Sequence, residues 1–135
     1  MRTSVRALIR HGGDLLFIRR TRKGEEYYVL PGGAVEDIDA SLSDALRREL
    51  KEEIGAEASI GAKVYEFSDE HNGQVTRHII LECSIPSRSI SLGEGPEKQR
   101  QSPENKYELV WISPTDIRQI DIRPPQLGKW VKEQA

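Results

Sequence analysis

The sequence predicts an α/β fold, a mixed β-sheet with helices packed against it. Short apolar runs bounded by turn residues read as strands early and again in the middle of the chain. One amphipathic helix pattern, with a start and a stop signal, separates the two groups. A second helical pattern closes the sequence, and the order β, β, α, β and a late helix gives sheet-plus-helix layers.

Residues 5–9 and 15–18 are apolar runs joined by His11-Gly12-Gly13-Asp14, which is turn chemistry, so they read as a β-hairpin. Residues 19–26 are charged and contain Gly24, which predicts a loop. Residues 27–30 form a short strand that stops at Pro31-Gly32-Gly33. A helix follows. Ser41 with Asp44 three residues on resembles a capping box, with Asp in place of Glu. Leu42, Ala45, Leu46, Leu50 and Ile54 recur at helical spacing, and Gly55 is a C-terminal stop. Strands return over residues 63–67, 77–84 and 109–112. Residues 87–106 are polar and too long for a plain connection, a length at which loops are often functional. Ser113-Pro114-Thr115-Asp116 opens a helical turn, and residues 127–134 form the last helix.

With 135 residues and no repeat or splitting linker, the expectation is one domain over 1–135. The net charge of −2 supplies no global basic field, so neither stable nucleic-acid binding nor attraction to an anionic membrane is expected. An anionic ligand must then be held by a local site or by metal. Cys83 is the only cysteine, which excludes an internal disulfide and agrees with a cytoplasmic protein. No apolar run approaches the ~20 residues of a membrane span, and residues 1–10 lack a signal-type apolar stretch. His71 and His78 have no metal spacing with each other or with Cys83, which argues against zinc.

The informative segment is Arg48-Glu49-Leu50-Lys51-Glu52-Glu53-Ile54-Gly55. On a helix Glu49 and Glu53 share a face. Glu53 falls inside the apolar arc, Glu49 at its edge and Glu52 further round. A carboxylate aimed at a core is costly unless paired or bound to a cation, and its oxygens suit a hard divalent ion such as Mg²⁺. Arg48 and Glu52, four apart, would brace the cluster. Upstream, Gly32 and Gly33 let backbone approach a ligand and offer carbonyl oxygens. Taken alone, the same carboxylates also fit a solvated face paired to Arg47, Arg48 and Lys51, and the glycines an ordinary turn.

Together, Pro31-Gly32-Gly33 and residues 48–56 strongly resemble the signature box of Nudix (MutT-like) hydrolases: Gly, five residues, Glu, seven residues, then Arg-Glu-apolar-any-Glu-Glu-any-Gly-apolar. Chance occurrence of the helical part in a chain this long is roughly one in ten thousand. The resemblance implies an α/β/α sandwich and hydrolysis of a nucleoside diphosphate linked to another group. It implies Mg²⁺, with Mn²⁺ as a substitute, held by Glu49, Glu52, Glu53 and the Gly33 carbonyl. A nucleotide is then the expected partner, and homodimers are common in the family. The general base is a box Glu (Glu49 or Glu53) or a later loop Glu, with Glu97 first and Glu94 and Glu104 next. Arg20 and Arg100 are candidates for phosphate, and Asn105, Tyr107 and Tyr28 for base or sugar. One departure stands out: five residues after Gly33 comes Asp39, not Glu, and counting back from Arg48 puts Ala40 in the Glu position. A non-catalytic nucleotide-sensing or protein-interaction domain on the same fold is the alternative.

Overall fold

The computed structural model describes residues 1–88, 90, 102 and 104–134. The strands are β1 (Arg2–His11), β2 (Asp14–Arg22), β3 (Glu25–Val29), β4 (Gly32–Ala34), β5 (Ser59–His71), β6 (Gln74–Ser84) and β7 (Asn105–Ile112). The helices are α1 (Leu42–Ile54), α2 (Pro114–Ile117) and α3 (Pro125–Gln134).

The sheet runs β3-β2-β1-β6-β5, with β4 added on β1 and β7 on β2. It is mixed: β1 and β6 are parallel over eight residue pairs, and the other pairings are antiparallel. β1 and β2 pair only at Arg10–Leu15 and His11–Asp14 and then part. β4 takes the freed stretch of β1, while β3 and β7 flank β2.

Strand alternation divides the apolar side chains between two faces. On one face Val5, Ala7, Ile9, Leu16, Ile79 and Leu81 pack with Ala45, Leu46 and Leu50 of α1. On the other, Leu8, Leu15, Phe17 and Ile80 pack with Ile117 of α2 and Leu127 and Val131 of α3. The result is the expected α/β/α sandwich. Leu46 and Leu50 are fully buried, each contributing about 1.5–3 kcal/mol. α1 starts and stops as the sequence indicates: Ser41 Oγ accepts from Asp44 N, and Gly55 takes the left-handed conformation. The Asp44 carboxylate turns instead to Arg47, at 3.0 Å.

The predicted loop over residues 19–26 is a hairpin. β2 runs on to Arg22, β3 begins at Glu25, and only Lys23-Gly24 turns, with φ of 50° and 80°. Two central residues at positive φ match the right-handed twist of the flanking strands. The charged run is extended because β3 and β7 satisfy both edges of β2 at Arg19–Arg22. β5 and β6 likewise outrun their predicted bounds, meeting at Asn72-Gly73.

Candidate active site

The loop after β3 reaches the site by laying Gly32–Ala34 along Ser4–Arg6 of β1. Gly32 has φ 141°, and a Cβ there would strike the Val5 carbonyl and the Arg6 Cα, so only glycine fits. α1 then delivers its carboxylates against this bare backbone. Glu53 is 5% exposed, and its Oε1 accepts from Gly32 N at 2.8 Å. The Glu49 carboxylate lies beside Gly33, in space that a side chain would fill. Glu52 is half-exposed, 3.9 Å from Arg48 Nη1. Glu49 and Glu53 therefore converge on the glycines, and Glu52 stands apart. Among the described residues no three His, Cys, Asp or Glu side chains form a ready metal cage.

Arg48 organises this corner. It donates to Asp39 through Nε (3.1 Å) and Nη2 (2.9 Å), to Glu49 through Nη1 (3.1 Å), and to the Ala34 carbonyl (3.2 Å). Its closest carboxylate partner is thus Asp39 rather than Glu52. Asp39 Oδ2 also accepts from Glu36 N at 2.8 Å. The Arg48 guanidinium, helped by that backbone N–H, holds the Asp39 carboxyl below its usual range. The departure in loop spacing thus has a physical resolution, because Asp39 reaches Arg48 across the longer loop.

Beyond the glycines a cleft opens where β1 and β2 part, lined by Arg2, Arg6, Arg20, Val29, Glu53 and Tyr107. Arg6 is half-buried and donates to the Leu30 carbonyl at 3.0 Å. Burial pulls its pKa down, and Glu53, then Glu49, push back. Arg20 donates to the Tyr107 hydroxyl at 2.7 Å and lies 4.5 Å from that ring and 5.6 Å from Tyr27.

Tyr28 is a correction. Alternation on β3 puts it on the opposite sheet face, 9% exposed in the second core and edge-on to Phe17. Its neighbour Tyr27 is the groove residue. Asn105 pairs with Arg22, two ladder positions beyond Tyr107 on the same strand face, and is not among the cleft residues. Glu94, Glu97 and Arg100 lie outside the described residues. Arg6 went unnoticed in the sequence because an arginine between Val5 and Ala7 reads as the outward position of a half-buried strand.

The NUDIX domain family model matches residues 1–134. A CTP pyrophosphohydrolase of Escherichia coli (strain K12) is 30% identical over 125 residues, covering 91% of this chain and 84% of that protein. The solution structure of the E. coli ORF135 protein superposes with a TM-score of 0.71 at 28% identity, over 94% of this chain and 84% of that one. The MutT protein from Methanosarcina mazei Go1 shares the fold, with a TM-score of 0.75 at 24% identity, over 98% and 91% of the two chains.

Proposed function

This chain belongs to the NUDIX domain family and is a hydrolase, and from that premise we propose that it is a Mg²⁺-dependent nucleotide pyrophosphohydrolase that splits a nucleoside triphosphate into monophosphate and pyrophosphate. The observation that carries the reading is a carboxylate pair, the buried Glu53 and the part-buried Glu49, set against side-chain-free backbone at the mouth of a cleft lined by Arg2, Arg6 and Arg20. The name of the E. coli relative supports a triphosphate over a sugar nucleotide, ADP-ribose or a dinucleoside polyphosphate.

The candidate donors at this corner are all oxygens, and the missing side chain at Gly33 lets the Glu49 carboxylate lie against the backbone, which fits a hard divalent ion. Glu49, Glu52, Glu53 and the Gly33 carbonyl would hold Mg²⁺, or Mn²⁺ in its place. When bound, the ion would supply a lowered pKa for an attacking water and charge neutralisation at phosphoryl oxygens. The chain's own residues do the rest. Arg48, fixed by Asp39, keeps the Glu49 carboxylate in place. The Gly32 N–H fixes Glu53. Arg20, oriented by the Tyr107 hydroxyl, meets the phosphate chain. Glu53 or Glu49 takes the water proton, with Glu97, outside the described residues, as the other candidate base.

The test is pyrophosphate release from CTP and other nucleotides, with and without Mg²⁺, in wild type and Glu53→Gln. Glutamine keeps an oxygen for the Gly32 N–H, so folding is preserved while kcat falls roughly 100-fold or more. Full turnover by the variant at saturating Mg²⁺ would sink the assignment.

A further inference from the structure

The cleft does not end at Arg6. A second groove of ≈ 360 Å³ shares Arg2, Arg6 and Val29 with it and continues between β1–β6 and the Tyr27–Arg123 side. Its floor carries two polar residues the chemistry above does not use. Ser4 and His78 are partners across the parallel β1–β6 pair, so their side chains leave the sheet on the same side. They are 4% and 6% exposed. Among the described residues nothing hydrogen-bonds Ser4 Oγ or His78 Nδ1. Native interiors rarely leave buried polar atoms unpaired, and two on neighbouring residues of a groove point to a ligand that completes them.

The polarity of the pair can be read. His78 Nε2 lies 2.9 Å from Asp69 Oδ1, and the ring stacks on Phe67 at 4.6 Å and 12°. An ionised carboxylate only accepts, so the partner assigns a proton to Nε2, and in the tautomer that carries only that proton Nδ1 is an acceptor. The Ser4 hydroxyl rotates about one bond and can donate beside it.

We propose that Ser4 and His78 read the base of the nucleotide and select an exocyclic amino group next to an unprotonated ring nitrogen. This deepens the hydrolase reading and rests on it for the phosphate end of the ligand. Cytosine and adenine present that edge. Uracil, and guanine on the edge away from its sugar, present a carbonyl next to an N–H, which sets oxygen against the Nδ1 lone pair; the Ser4 hydroxyl can turn to accept that N–H, so the pair that is lost is the one to His78. Guanine's amino group lies beside N3 only on the edge crowded by the sugar. Both floor atoms are shut from bulk solvent, so engagement takes a rotation at Ser4 and a small local opening of the groove. The groove is also lined by Arg123, laid over Tyr27 at 4.4 Å and held by exposed ion pairs to Asp121 and Glu25, which are weak. A guanidinium plane also suits a stacked base.

Binding of CMP, AMP, UMP and GMP without metal tests this apart from catalysis, by calorimetry and by the imidazole nitrogen shifts of His78. Wild type is expected to bind CMP or AMP at least about tenfold tighter than UMP and GMP, with an Nδ1 shift only for the tighter-binding base. The order of CMP and AMP then names the base. Ser4→Ala removes an unpaired hydroxyl and strands no partner, and His78→Phe keeps the stack on Phe67. Each should bring the ratios to within about threefold. Equal wild-type affinity for all four, or preference surviving in both variants, overturns the proposal. Base preference without triphosphate turnover would count against the hydrolase reading alone, and turnover without base preference against this one alone.

Discussion

Replacing Gly33 with alanine adds one methyl group beneath the Glu49 carboxylate. An ideal Cβ at that position lies 2.7 Å from Cδ and from both carboxylate oxygens of Glu49. Ordinary contact begins at 3.4 Å, so the carboxylate must retreat by about 0.7 Å, the difference between 3.4 and 2.7. The atoms that move end a flexible side chain, and Gly33, unlike Gly32, does not occupy the left-handed region. Alanine also restricts the unfolded chain, so stability should stay within about 1 kcal/mol of wild type. Activity should not. A misplacement approaching 1 Å in a catalytic constellation typically costs about 10²-fold. Mg²⁺-dependent kcat/KM is therefore expected to fall roughly 10- to 100-fold, with a higher Mg²⁺ requirement. Gly32→Ala is the contrast. Its Cβ would sit 2.6 Å from the Arg6 Cα, at φ 141°, and nothing there yields easily. It should lose at least about 2 kcal/mol of stability. Thermal unfolding and pyrophosphate release against Mg²⁺ concentration, measured on both variants, decide the matter. Wild-type kcat/KM in Gly33→Ala, or a stability loss matching that of Gly32→Ala, would refute the reasoning.

Two further outcomes follow from groups outside the cleft. Hydrogen bonds from Arg77, then from Lys63, hold the Glu66 carboxyl at about 2, below its ordinary 4.5. A lowered folded-state pKa stabilises above the unfolded value, and that contribution disappears as pH falls toward the folded one. Glu66→Gln should therefore flatten the Tm–pH curve between about 4.5 and about 2, and an unchanged slope in that window would contradict the clamp. Burial pushes the Cys83 thiol up to about 11, so at pH 8 it is protonated and shielded. An aromatic disulfide reagent should label the folded chain at least about 100-fold more slowly than the unfolded one, and equal rates would rule that out.

Where one local rule dominates, sequence and structure agree. Ser41, Gly55 and the apolar stripe between them define α1 within a residue, and the same stripe places Glu53 inward. Ser113-Pro114 opens α2 for the same reason, with Ser113 Oγ accepting from Asp116 N. Disagreement arises where partners distant in sequence decide. Arg19 to Arg22 carry no strand pattern of their own, yet β3 and β7 pair with them on both sides. Residues 68–76 are polar because that end of the β5–β6 hairpin runs past the core, so alternation fades there and the strands outrun their predicted bounds. Tyr27 and Tyr28 could not be told apart without the strand's facing. Ser4 and His78 lie 74 positions apart and meet only through the parallel register of β1 and β6. The Asp39–Arg48 pair was half visible: counting located the irregularity, and the bidentate geometry shows how it is absorbed.

The brief meeting of β1 and β2 makes the two halves of the sheet resemble tweezers with a fixed heel at His11 and Asp14. Each blade completes its backbone bonding on its own side, β1 with β4 and β6, β2 with β3 and β7. Arg2, Arg6, Arg20 and Tyr27 thus project into the opening from strands whose ladders do not depend on the opposite blade. Exchange of Arg2, Arg20 or Tyr27 alters what the tweezers grip and leaves the strand ladders in place, whereas Arg6 also ties β1 to the Leu30 carbonyl. A change of ligand on this scaffold is then a change of side chains more than of strands.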